Sequence, residues 1–140
     1  MSDDAARLAT AFGLLARQLR PVRGELSLGH FSTLASLERH GPQRIGDLAR
    51  VERTSAPVMT RIVNVLERRE LVARAVSEQD RRVVEVTITA AGLRLVEEVR
   101  AERADAVTLL LAGLTDSERE ALAGAVEALE ALAARATPDL

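Results

Sequence analysis

Cysteine is absent from this 140-residue chain, which excludes disulfides, thiol redox sensing and cysteine-based zinc sites. Tryptophan and tyrosine are also absent. The only aromatic residues, Phe12 and Phe31, provide no stacking pocket from which a ligand could be named. Lysine is missing too: all nineteen basic residues are arginine, which together with the abundant alanine reflects coding composition more than mechanism. No apolar run approaches the ~18 residues of a membrane-spanning helix. The acidic N-terminus lacks a signal-peptide pattern, so a cytoplasmic protein with no membrane partner is expected. His30 and His40 stand alone, without the ligand cluster a metal needs, and His30 is assigned to a helix N-terminus or an interdomain position. With no nucleophile elbow and no phosphate-binding glycine loop, neither an enzyme nor a cofactor is expected.

What the chain does contain is concentrated between Arg53 and Gly92. Thr54 or Ser55 serves as an N-cap, and Pro57 falls in the first helical turn, where its missing N–H costs nothing. Met59, Ile62, Val63 and Leu66 recur at helical spacing and define a buried face. The opposite face carries Ser55, Thr60, Arg61 and Asn64, small or polar groups suited to phosphates and base edges. Leu71 to Val76 reads as a strand, Ser77-Glu78-Gln79-Asp80-Arg81 as a polar turn, and Val84, Val86 and Ile88 as a half-buried second strand. A helix followed by a two-stranded wing is the signature of a winged helix.

Several pieces of this stretch, in order, resemble the MarR family of bacterial transcription regulators. They are Met59-Thr60-Arg61-Ile62-Val63, Leu66-Glu67, Leu71-Val72-Ala73-Arg74, the wing residues Asp80-Arg81-Arg82, and Val86-Thr87-Ile88-Thr89-Ala90-Ala91-Gly92. The family commonly shows an Asp-x-Arg wing tip and a strand ending in Thr-x-x-Gly that opens the next helix. Each piece is weak alone; the ordered set is a strong signal. One departure is Glu70, where the family usually ends the recognition helix with a left-handed glycine. Glutamate enters that conformation only at a cost, so a different helix end is expected here.

The net charge of −2 looks unfavourable for a nucleic-acid binder, but its distribution is uneven. Between Arg53 and Arg82, seven arginines face four acids; from Val86 onward, five arginines face ten acids. A basic reading module is thus joined to an acidic remainder.

The rest of the chain reads as helices. Residues 3–20 carry an apolar stripe of Leu8, Ala11, Phe12, Leu15 and Leu19. Residues 28–40 bury Phe31, Leu34, Ala35 and Leu37, and residues 44–50 bury Ile45, Leu48 and Ala49. That short helix and the next complete a helix-turn-helix. Residues 89–112 form one long helix, and Thr115-Asp116-Ser117-Glu118 is a capping box that starts the last. The fold class is mainly α (α+β): a winged helix-turn-helix over residues 26–88, a linking helix over 89–111, and a helical dimerisation region from 1–25 and 112–140. The terminal helices carry more apolar surface than so small a core can cover, and the simplest partner is a second copy. In MarR-like proteins these elements interlock into a homodimer.

A dimer would present two recognition helices to successive major grooves of a pseudo-palindromic double-stranded operator. Arg61 is then the residue expected to reach a base, with Ser55, Thr60 and Asn64 on phosphates or nearby edges. Arg81 and Arg82 occupy the wing tip, where arginine enters the minor groove. Asp80 aims Arg82 through a bidentate pair. Read as an ordinary hairpin salt bridge the pair would contribute little, but its place at a strand-turn-strand tip favours the DNA reading. By resemblance, Arg44 and Arg53 are phosphate contacts. The resemblance also implies a repressor released by a small lipophilic or phenolic effector held between the dimerisation helices and the winged helix. Phe12, Leu15 and Phe31 are candidates for the pocket wall, although core packing is the commoner role for such residues. The alternative is a protein-interaction module built on the same winged helix and acidic bundle.

Overall fold

The computed structural model describes residues 2–136, so the terminal Thr137-Pro138-Asp139-Leu140, for which fraying is expected, lies outside the described residues. Eight elements follow one another: α1 (Ser2–Gln18), α2 (Leu28–His40), α3 (Ile45–Val51), α4 (Ala56–Arg68), β1 (Val72–Val76), β2 (Val84–Ile88), α5 (Ala90–Ala112) and α6 (Asp116–Ala136). The strands form an antiparallel pair in which Val72 faces Ile88 and Val76 faces Val84.

The core lies where α2, α3, α4, the wing root and the first half of α5 meet. Leu34, Leu37, Leu48, Met59, Val63, Leu66, Val72 and Val86 are fully buried, each contributing about 1.5–3 kcal/mol of transfer free energy. Ile62, assigned to the buried face of α4, packs against this core only partly, as do Ile45 and Ile88. Two buried polar residues of α2 escape a reading based on hydrophobic spacing. Thr33 returns its hydroxyl to the Gly29 carbonyl at 2.8 Å, and Ser36 accepts from the Gln43 side-chain amide at 3.2 Å.

Both helices of the helix-turn-helix end in left-handed residues that are not glycine: Arg53 at φ 53° and Glu70 at φ 59°. After α3, Arg53 N–H donates to Arg50 O and Thr54 N–H to Ala49 O. After α4, Glu70 N–H donates to Glu67 O and Leu71 N–H to Leu66 O. Each pair is a complete Schellman motif. The expectation that Glu70 would force a different helix end is therefore corrected. Glutamate takes the glycine conformation, at roughly 1 kcal/mol or more of local strain. Two captured carbonyls and the burial of Leu66 and Leu71 in the core offset that strain. The Glu70 carbonyl also accepts the Thr89 hydroxyl at 2.7 Å.

Gly92 owes its identity to close packing. A Cβ there would stand 2.3 Å from the Leu71 carbonyl oxygen, so only glycine lets α5 start against the end of α4. Thr89 caps α5 through the Gly92 amide, and Thr115 and Glu118 exchange the two bonds of the capping box that opens α6. Arg23 ties the α1–α2 loop to α5 through Glu98 and Glu102.

Beyond this body the apolar surface is uncovered. No residue of α6 is buried, and Leu8, Phe12, Leu14 and Leu15 of α1, Leu109 and Leu110 of α5, and Leu122, Val126, Leu129 and Leu132 of α6 are exposed. No helix among the described residues is long and apolar enough to cross a membrane.

Candidate nucleic-acid interface

The helix-turn-helix sets the geometry of the reading face. The Schellman turn at Arg53 swings the chain into Ser55, whose hydroxyl accepts the Val58 amide at 3.3 Å and caps α4. Ser55 is thus the N-cap, and Pro57 sits in the first turn as its missing N–H permits. With Met59, Val63 and Leu66 turned inward, Arg61 and Asn64 are exposed and Thr60 is half-buried beside them. Thr60 and Asn64 are one turn apart, as are Arg61 and Asn64, so the three form a continuous polar patch. Arg61 has no hydrogen-bond or ion-pair partner among the described residues, which leaves its donor fork free. Asn64 is engaged: its side-chain oxygen accepts from Arg74 at 2.9 Å.

The wing rises from the same side. Its turn is built by Ser77, whose hydroxyl accepts the amides of Gln79 and Asp80, and closed by the Val83 amide on the Asp80 carbonyl at 3.0 Å. Asp80 holds Arg82 in a bidentate pair, Nε to Oδ1 at 3.1 Å and Nη2 to Oδ2 at 3.2 Å, and also accepts the Arg82 backbone amide at 3.1 Å. The Arg82 side-chain bonds first, and its backbone amide second, keep the Asp80 carboxyl below the usual carboxylate range. The Arg82 side chain is 91% exposed, so the pair orients a group that stays available to a ligand. Arg81, beside it, is exposed and has no partner among the described residues.

Gln43 is a residue the sequence did not flag. Its backbone exchanges two hydrogen bonds with Val86, at 3.1 and 2.7 Å, adding a one-residue third strand to the wing. This bridge carries the neighbouring Arg44 close enough to the wing to help lower the Asp80 pKa. Nothing in the local pattern could have revealed it, because an isolated bridge has no periodicity. Arg74, a motif residue to which the sequence assigns no role, faces the end of the recognition helix from β1, a placement only the fold reveals. Arg53, exposed in the α3–α4 turn, completes the set.

The ligand-pocket candidates separate. A cleft of about 220 Å³ lies between α2 and α5, with Phe31, Ala35, Val96 and Val99 as its apolar wall and Arg100 and Arg103 beside it. Phe12 and Leu15 do not line it; they lie exposed on α1. Within one chain, only Phe31 of the three lines this cleft.

A capped recognition helix, a supporting short helix, and a wing tipped with oriented arginine define a winged helix-turn-helix DNA-binding protein. Residues 26–84 match the model of the MarR family. Over 138 residues the chain is 36% identical to an uncharacterized HTH-type transcriptional regulator of Mycobacterium bovis, covering 94% of this chain and 96% of that one. It is 33% identical over 85 residues to the HTH-type transcriptional repressor MdtR of Bacillus subtilis, covering 61% of this chain and 55% of MdtR. The crystal structure of the YusO protein from Bacillus subtilis superposes with a TM-score of 0.69 at 26% identity, covering 93% of this chain and 94% of that one. The chain belongs to the MarR family and is a DNA-binding transcriptional regulator. The interaction-module alternative has no support among these relatives.

Proposed function

We propose that this regulator works in the cytoplasm as a homodimeric repressor that grips a pseudo-palindromic operator and lets go when a small effector binds. The observation that carries the reading is the unpaired Arg61 on the exposed face of α4, beside a wing tip whose Arg82 is aimed by Asp80. Arg61 would enter the major groove and contact a base, with Thr60 and Asn64 on neighbouring edges or phosphates. Arg81 and Arg82 would enter the minor groove, and Ser55, Arg44 and Arg53 would lie along the backbone. Similarity to a repressor favours repression over activation.

The exposed apolar faces of α1, the end of α5 and α6 support the dimer, since residues 3–25 and 112–136 bury little within one chain. The cleft beside Phe31 supports the effector. Its apolar wall with Arg100 and Arg103 beside it suits a small phenolic or carboxylic anion of lipophilic body. Lying between α2 and α5, such a ligand would release DNA only if it bound one arrangement of those helices more tightly than the other.

Light scattering together with a DNA-release titration tests this reading. Wild type should be dimeric, and Leu129→Asp on α6 should give monomers with weak operator binding. Salicylate-like anions should release DNA from wild type and not from Arg103→Ala. A wild-type monomer that binds operator fully would contradict the dimer.

A further inference from the structure

Arg74 lies on β1 and is paired across the sheet with Val86, the residue that Gln43 also holds. Its side chain crosses to the last turn of the recognition helix. One nitrogen, Nη2, donates to Asn64 Oδ1 at 2.9 Å, and the other, Nη1, pairs with the Glu67 carboxylate. The Arg74 side chain is only 28% exposed, and its two bonds to α4 fix the guanidinium. Asn64 and Glu67 are one turn apart on α4 and are both exposed.

Arginine has five N–H donors and no acceptor. The atom of Asn64 that meets it is therefore the oxygen, and the amide NH2 must point the other way. That NH2 has no acceptor among the described residues. We propose that Arg74 is a positioning residue for DNA recognition, locking the Asn64 carboxamide so that it presents a hydrogen-bond donor to DNA. The complementary atoms on DNA are acceptors: purine N7, guanine O6, thymine O4 or a phosphate oxygen. By pairing Glu67, the same guanidinium neutralises the one carboxylate on this stretch of the helix that would otherwise face phosphates. Arg74 thereby couples wing and recognition helix, and it acts through its neighbours without touching DNA. The proposal rests on the DNA-binding reading above and deepens it.

A direct test exists because Asn64 is the only asparagine in the sequence. Selective 15N-asparagine labelling of the full chain yields one side-chain NH2 pair. In free wild type that pair should be as rigid as ordered backbone, with an order parameter near ~0.85, and in Arg74→Met it should fall below ~0.6. Operator DNA should shift the pair in wild type.

Affinity supplies the second arm, in a Glu67→Gln background that removes the carboxylate. There Arg74→Met should weaken operator binding about tenfold, the scale of one lost base contact, and should cost nothing further once Asn64→Ala is present. A loss confined to operator assigns a base acceptor, and an equal loss on unrelated DNA assigns a phosphate; both sustain a donor role. A freely rotating NH2 in wild type overturns the proposal. So does an Arg74→Met penalty that is the same with and without the Asn64 carboxamide, which would make Arg74 a DNA contact in its own right. The rigidity measurement needs no DNA, so failure of the DNA-binding reading and failure of this inference are separable.

Discussion

The Thr89 hydroxyl donates to the Glu70 carbonyl at 2.7 Å while accepting the Gly92 amide at 3.1 Å. One side chain thus joins the end of the recognition helix to the start of α5. The two elements are therefore held in one fixed relation by a single hydroxyl. Thr89→Val keeps the shape and removes both bonds, and should lower stability by about 1–2 kcal/mol in chemical denaturation.

Glu70 gives the complementary prediction. Its left-handed φ of 59° is strained for glutamate. Glu70→Gly removes the strain but adds about 0.4–1 kcal/mol of unfolded-chain entropy, so stability should stay level or rise by up to about 1 kcal/mol. Glu70→Ile, β-branched in the same conformation, should destabilise measurably. Equal midpoints for the two variants would contradict the assignment of strain to this residue.

Gly92→Ala is expected to be far more damaging than its size suggests. The new Cβ would stand 2.3 Å from the Leu71 carbonyl and 2.7 Å from an Ile88 side-chain carbon. Neither backbone can yield without moving α5 off the end of α4, so a loss of about 1–3 kcal/mol is expected in a thermal or denaturant melt.

His30 should give the fold a pH dependence. Its Nδ1 accepts the Ser27 amide at 3.1 Å, which requires that nitrogen to be unprotonated. Burial is the main cause of its lowered pKa; Arg69 adds to it and Glu25 opposes it. The folded state therefore binds this proton less readily than the unfolded chain does. Stability from this group is complete above the ordinary imidazole value of about 6.5, and falls as pH drops from there through the lower folded-state value. Melts from pH 8 to 5 should show this slope, and His30→Gln should flatten it.

Much of this architecture was legible in the sequence because it rests on local rules. The buried stripe of α4, the Ser55 cap and the Thr115-Glu118 box follow from spacing and capping chemistry, and the structure has them. The bidentate Asp80–Arg82 pair follows from two residues separated by one within a turn. What could not be read depends on contacts between distant segments. The Gln43–Val86 bridge, the Arg74–Asn64 bond and the Gly92–Leu71 approach each need the folded arrangement before they have meaning. The helix end at Glu70 departs from its local propensity because the Schellman bonds and the distant Thr89 hydroxyl together hold it there. Whether Phe12 shares a pocket wall with Phe31, as the family resemblance implies, depends on a partner covering α1, where Phe12 lies exposed.

The measurement that bears most directly on the account is fluorescence anisotropy on the intergenic DNA beside the gene. Wild type and Arg61→Ala would be titrated at two salt concentrations, against operator and unrelated duplexes. The account predicts specific binding by wild type that weakens steeply with salt, as neutralised phosphates require. It also predicts that Arg61→Ala loses ~1–3 kcal/mol of discrimination between the two duplexes. Binding by wild type that is weak, blind to sequence and unchanged by Arg61→Ala would contradict it.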